Sequence, residues 1–335
     1  MEKEQIEIKN TLIHILDLSL NEPVISENMF QPEDDIKKYL QKHITKMCSD
    51  SNLKKATFNP NSIVLKKCET LKNNILVFDK ISTEITDMYF QILKQSLDTK
   101  SGDIIYFIFD KNNTLYFGMF KLGYKNSYNH EIQMDETGKT IVIKKNVDSL
   151  PTESQKIDEG FFINLNDFSI RLIEKSYTFG SEKVQYLSNK ILDCIPSLSE
   201  KEKVDGILKF VNQFSKKHFD ETSTEPLRIS RAIAESVDET RTINVEKIAE
   251  NVFRNNKDLK NEFVSEIRKT IEDEPEIVVS DKTAKRKPFK IQKLETDEGI
   301  EINLPFDIYG NIEKVEFVEN GDGTTSILIK NVKVI

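Results

Sequence analysis

Apolar and polar residues alternate along the first third of the chain in the periods expected of short strands and amphipathic helices. Residues 6 to 18 alternate with a period near two, which predicts a strand. Residues 36 to 47 place apolar side chains at helical spacing behind an acidic run that suits a helix N-terminus. Short apolar runs at 63 to 65 and 75 to 78 predict strands, and residues 82 to 97 predict another helix.

The clearest local unit is a pair of apolar runs, 103 to 109 and 114 to 120, joined by the turn-forming residues 110 to 113. This pattern predicts a β-hairpin. The first run is apolar at nearly every position, so we expect its strand to lie centrally with both faces covered by helices. Further strands are predicted at 140 to 144 and 161 to 165, which together indicate an N-terminal mixed sheet with flanking helices.

Beyond residue 181 the pattern changes. Up to residue 271 the apolar residues recur at helical spacing and strand patterns disappear, which predicts a helical region. After Pro275 strand patterns return, and they predict a small C-terminal antiparallel sheet. Its strands are expected at 289 to 294, 300 to 304, 315 to 318 and 326 to 332. The fold class predicted by these patterns is α+β.

The length of 335 residues favours about two domains. The changes of pattern place an N-terminal α+β domain at 1–180, a helical region at 181–274, and a basic segment with the C-terminal β-sheet at 275–335. Residues 181–335 can equally form one domain. Hydrophobic residues make up 38% of the chain, which is enough to bury a core despite a charged fraction of 31%.

Composition also bears on location. No apolar run approaches the roughly 20 residues that span a bilayer, and the first residues lack a basic region followed by an apolar stretch. We therefore expect a cytoplasmic protein without membrane association. The cysteines Cys48, Cys68 and Cys194 are far apart, so reduced thiols are expected rather than a zinc site or a redox pair.

No motif for a cofactor or for catalysis is complete. Gly138-Lys139-Thr140 resembles the end of a phosphate-binding loop, but Gln133 stands where that loop requires a glycine, so a hairpin turn is expected. None of the four histidines is within helical reach of another, which argues against a local metal pair. We expect His14 to be a structural histidine within its strand and the other three to lie at the surface. The chain is thus predicted to have no catalytic residues, metal or cofactor.

One charge feature is unusual. Six basic residues lie within twelve positions, with no acid between them: Lys282, Lys285, Arg286, Lys287, Lys290 and Lys293. The whole chain has a formal charge of −8, so the remainder carries about −14. Such a cluster is expected to be exposed, and mobile unless a polyanion neutralises it. It suits sequence-independent contact with DNA phosphates, whereas a solubilising interdomain linker and a binding site for a protein partner are the alternatives.

The order of several segments resembles the NdpA-like family of bacterial nucleoid-associated proteins. The segments that carry the resemblance are 13–17, 103–120, 163–173, 243–253, Gly299-Ile-Glu-Ile and 322–331. They span nearly the whole chain, and the C-terminal segments are the most specific. The resemblance implies a cytoplasmic bacterial protein that is found with the nucleoid, associates with DNA and has no catalytic residues.

The residues and the resemblance together favour a non-enzymatic protein that contacts the phosphate backbone of double-stranded DNA, largely without sequence preference. The first alternative is a protein-interaction module that a DNA-bound partner recruits to the nucleoid. The second alternative is a metal-dependent nuclease. Double-stranded DNA is the expected partner, further proteins on the nucleoid and a second copy of the chain are possible partners, and a membrane is not expected.

Overall fold

The computed structural model describes residues 6–136, 138–219, 225–296, 298–306, 308–309 and 311–333. The chain forms two compact units, Met1–Ser197 and Leu198–Ile335. Helices and antiparallel sheets occur in both units, which confirms the α+β class. Within the described ranges, no helix combines the length and the apolar character needed to cross a bilayer.

The first unit is built on a seven-stranded sheet. Its strands are β1 (Ile6–Leu16), β2 (Lys54–Phe58), β3 (Gly102–Lys111), β4 (Thr114–Gly123), β7 (Glu159–Asn164), β8 (Ile170–Ile173) and β11 (Cys194–Pro196). They lie in the order β1-β3-β4-β7-β8-β2-β11, and every neighbouring pair is antiparallel. The predicted mixed sheet is wrong in this detail, because hairpins such as the one at Asn112 and Asn113 connect antiparallel neighbours.

Helices cover both faces of this sheet. They are α1 (Asp34–Cys48), α2 (Ile63–Asn73), α3 (Phe78–Leu93), a 3-10 helix (Ile75–Val77) and a π-helix (Leu187–Leu192). In β3 the even-numbered residues from Ile104 to Ile108 belong to the core under α2 and α3, whereas the odd-numbered residues from Ile105 to Phe109 belong to the core under α1. The prediction that this strand is central and covered on both faces is therefore confirmed.

The strands predicted at 63 to 65 and 75 to 78 are wrong, because these residues form helices. Ser62 accepts a hydrogen bond from the backbone N–H of Leu65 and so caps α2. The buried residues Val64, Cys68 and Leu71 recur at helical spacing. The short apolar run is thus the first turn of an amphipathic helix, a case in which periodicity over three residues does not separate the two structures.

The first unit also contains a long two-stranded ribbon that forms a sheet of its own. It consists of β5 (Lys125–Asp135) and β6 (Gly138–Ser149), which pair only with each other among the described residues. The strand predicted at 140 to 144 is confirmed as part of β6. Two shorter strands, β9 (Tyr177–Phe179) and β10 (Glu182–Val184), form another hairpin, so strands continue beyond residue 181, where the sequence pattern predicted helices alone.

The second unit begins with helices around its own core. They are α4 (Glu200–His218), α5 (Glu225–Thr240), α6 (Val245–Val252), α7 (Lys257–Thr270), α8 (Asp281–Ala284) and a 3-10 helix (Lys287–Phe289). A short pair, β12 (Thr242–Asn244) and β13 (Glu276–Val278), joins them. The C-terminal strands form two separate hairpins, β14 (Ile291–Glu295) with β15 (Glu301–Pro305) and β16 (Val315–Glu319) with β17 (Thr325–Ile329).

Two of the four histidines are buried. The ring of His14 lies in hydrogen-bond range of Ser82 Oγ at 3.3 Å and accepts from the backbone N–H of Ser26 at 3.1 Å, which confirms it as a structural histidine. The surface position predicted for His43 is wrong. It occupies the buried face of α1 together with Leu40, Ile44 and Met47, at the spacing that an amphipathic helix turns inward.

Candidate nucleic-acid interface

The basic segment 282–293 is a folded part of the second unit. Ser280 caps α8 by accepting a hydrogen bond from the backbone N–H of Thr283. Ala284 and Phe289 belong to the core of the second unit. These apolar anchors tie the backbone of the segment to the core of the second unit, so the segment is not a separate arm.

Buried and exposed residues are interspersed along the segment. Thr283, Ala284, Phe289 and Gln292 are buried. The basic residues between them project outwards: Lys282, Lys285, Lys287, Lys290 and Lys293 are exposed and Arg286 is half-buried. The expected exposure of the cluster is therefore confirmed for five of its members.

At least three of the six basic residues are paired with acids of the second unit. The Nη2 atom of Arg286 lies 2.5 Å from Oδ1 of Asp205, and Nζ of Lys290 lies 2.7 Å from Oδ1 of Asp238. Lys293 pairs with Glu301 across the β14–β15 hairpin. The hydrogen bond from Lys290, followed by its charge, lowers the pKa of Asp238 below the usual range. These pairs reduce the local positive potential, which the sequence alone did not reveal.

Lys285 and Lys287 form the part of the cluster that is most available. Both side chains are exposed, and among the described residues no carboxylate lies within ion-pair distance of either. Lys285 follows the last residue of α8 and Lys287 begins the 3-10 helix. Two cations on adjacent helical turns, with their backbone held by buried neighbours, can contact phosphates without first breaking an internal pair.

An E-x-K spacing and a cluster of metal-ligating side chains, two features of metal-dependent nucleases, do not occur together in the described residues. One E-x-K spacing, Glu7-Ile8-Lys9, occurs on β1, but both charged side chains are exposed and lie 2.6 Å from each other. No group of three or more His, Cys, Asp or Glu side chains in the described ranges is arranged to hold a metal ion.

A comparison with known families assigns the chain. Residues 12–334 match the family described as nucleoid-associated protein YejK. The chain belongs to this family. The NdpA-like resemblance inferred from the order of segments is thus confirmed over nearly the whole chain. No curated protein sequence matches the chain at a significant level.

Proposed function

We propose that this protein is a non-enzymatic component of the nucleoid in the cytoplasm and contacts the phosphate backbone of double-stranded DNA through residues 282–293. The observation that carries the proposal is the pair Lys285 and Lys287, exposed and free of carboxylate partners among the described residues, in an otherwise acidic chain. The family's association with the nucleoid supports DNA as the polyanion. Binding of this kind is driven by release of counterions from the duplex.

Arg286, Lys290 and Lys293 can bind phosphates only when their ion pairs with carboxylates break. The pairs of Arg286, Lys290 and Lys293 lie at the surface, with both partners at least a third exposed. Exposed pairs contribute little to stability, so phosphates can replace the carboxylates at small cost. If Lys285 and Lys287 alone contact phosphates, the logarithm of the association constant falls against the logarithm of the salt concentration with a slope of about −2; all six basic residues give about −5.

The test is a salt titration of the purified protein on several unrelated duplexes. We expect a linear dependence with a slope between these limits, and similar affinities for unrelated duplexes of matched base composition. Absence of binding to every duplex at low salt would refute direct contact. The alternative of a module recruited by a DNA-bound protein would then replace it. Incubation of the same duplexes with Mg²⁺ or Mn²⁺ tests the nuclease alternative, and we expect them to stay intact.

A further inference from the structure

The β5–β6 ribbon has two faces of different character. Because side chains alternate along a strand, positions 128, 130, 132 and 134 of β5 share one face with their partners 145, 143, 141 and 139 of β6. The opposite face carries Asn129, Glu131 and Gln133 with their partners Lys144, Val142 and Thr140. It is polar, and Lys144 pairs with Glu131 at 2.8 Å.

The first face is apolar and open to solvent. Its five large apolar side chains are between 50% and 81% exposed: Tyr128, Ile132, Met134, Ile141 and Ile143. A contiguous exposed apolar surface of this kind marks a binding site in a water-soluble domain. A two-stranded ribbon is also only marginally stable alone. Both considerations indicate that a partner covers this face.

The charges on the same face restrict the choice of partner. His130, Lys139 and Lys145 lie among the apolar residues, and no Asp or Glu occupies any of the eight positions of the face. Lys139 and Lys145 are six residues apart, about 20 Å along β6. The face therefore combines an apolar strip with cations near its two ends, which suits a polyanion that also offers apolar contacts.

A second copy of the chain fits this face less well. The face measures about 24 Å by 10 Å, so two copies packed face to face would each bury a footprint of about 240 Å². A stable interface buries about 800 Å² on each partner. The same packing would bring the lysines of both copies together without a carboxylate. Packing of the apolar face against the polar face of another copy would be heterologous and would give rings or open filaments rather than a two-fold dimer.

We infer that the apolar face of the β5–β6 ribbon enters the major groove of duplex DNA. This inference rests on the proposed association with DNA and adds a second contact to the basic segment. The major groove is about 12 Å wide and admits a two-stranded ribbon, and its thymine methyl groups provide apolar contacts. Lys139 and Lys145 would then reach phosphates at the walls of the groove.

Three successive residues of β6 provide matched variants. Ile141 and Ile143 lie on the apolar face, whereas Val142 between them lies on the polar face. We expect Ile141→Ser and Ile143→Ser each to weaken duplex binding about tenfold at every salt concentration, since burial of apolar surface does not depend on counterions. The salt slope stays unchanged, and Val142→Ser remains within about twofold of the unmodified protein.

A second measurement tests whether the ribbon contacts the major groove. Deoxyuridine in place of thymidine removes only the C5-methyl groups, which lie in the major groove. We expect the unmodified protein and Val142→Ser to bind the deoxyuridine duplex about fivefold more weakly than the thymidine duplex. Ile141→Ser and Ile143→Ser should show a smaller difference. Equal affinity of the unmodified protein for the two duplexes would overturn the assignment to the major groove.

The outcomes separate this inference from the proposed function. Unchanged DNA affinity in Ile141→Ser and Ile143→Ser, or an equal loss in Val142→Ser, overturns the ribbon contact alone. A change of molar mass from dimer to monomer in light scattering of these two variants would instead assign the face to a second copy. A smaller salt dependence of affinity in variants of Lys285 and Lys287 indicates that the basic segment contacts phosphates, and this result does not depend on the ribbon. A protein that binds no duplex at all overturns both.

Discussion

The hydroxyl of Tyr89 donates a hydrogen bond of 2.8 Å to Oε2 of Glu159, a carboxylate that is almost completely buried. Tyr177 and Tyr186 donate to the same carboxylate, and Nζ of Lys121 lies 3.5 Å from Oε1. Burial, followed by the charge of Glu159, raises the pKa of Tyr89 and Tyr186 well above 10, so both hydroxyls stay protonated as donors. A buried carboxylate of this kind depends on all of its partners.

Removal of this carboxylate should destabilise the first unit strongly. Glu159→Ala leaves the buried Lys121 charge and three hydroxyls without their acceptor, so we expect the free energy of unfolding to fall by about 3 to 5 kcal/mol. Tyr89→Phe removes a single donor and should cost about 1 to 2 kcal/mol. Urea unfolding monitored by circular dichroism measures both. Tyr128→Phe, at an exposed hydroxyl, is the control, and an equal loss in that variant would contradict the role of the network.

His43 should make the protein sensitive to mild acid. Its ring packs against Tyr39 and Phe120, and neither ring nitrogen has a hydrogen-bond partner among the described residues. Burial, with a smaller effect of the Lys46 charge, lowers its pKa from 6.5 to about 4. In the unfolded chain His43 keeps a pKa near 6.5, so it binds a proton at a higher pH than in the folded chain. The free energy of unfolding therefore declines as the pH falls from about 6.5 towards 4.

His43→Leu removes this protonation and leaves no unsatisfied ring nitrogens. We expect a higher Tm than that of the unmodified protein, and a smaller drop in Tm between pH 7 and pH 5. A residual drop should remain, because burial lowers the pKa of His14 to about 4 as well. The exposed His130→Gln serves as control. An unchanged drop in Tm in the Leu variant would argue against a neutral buried His43.

Gly118 should not tolerate a side chain. A Cβ atom at this position of β4 would overlap the ring of Phe107 on the neighbouring strand β3. Phe107 is fully buried, so the ring has little room to move. We expect Gly118→Ala to lower the free energy of unfolding by about 1 to 3 kcal/mol. Gly123→Ala, where the added carbon meets open space, should unfold at nearly the same urea concentration as the unmodified protein.

The double variant Lys285→Ala/Lys287→Ala tests the basic segment. Each lysine that meets a phosphate contributes about one unit to the salt slope, so we expect the slope to decrease by about two and the affinity to fall equally on all sequences. Lys257→Ala/Lys269→Ala removes the same charge from exposed positions of α7 and should leave the slope unchanged. Equal effects of the two double variants would indicate that overall charge, rather than this segment, governs binding.

The sequence predicted much of the local architecture. The continuous apolar run of β3 indicated a central strand, and the turn residues before β4 indicated the hairpin, because both features depend only on neighbouring residues. The strand predicted at 63 to 65 was wrong, since three apolar residues fit the first turn of α2 equally well. The buried position of His43 was accessible to the same reasoning, as it falls on the apolar stripe of α1 with Leu40 and Ile44.

The sequence by itself determined the α+β class and the existence of a cationic cluster, because composition and local periodicity encode these features, and the order of its segments carried the resemblance to the family. Only the tertiary structure decided which acids pair with the basic residues of that cluster and which apolar residues remain exposed to solvent. Asp205 is far from Arg286 in the chain but pairs with it in the fold. Ile141 has the same apolar character as the core residues of β3, yet its strand pairs only with β5 among the described residues and leaves it in solvent. Charge pairing and burial depend on distances between remote segments, and no local pattern specifies those distances.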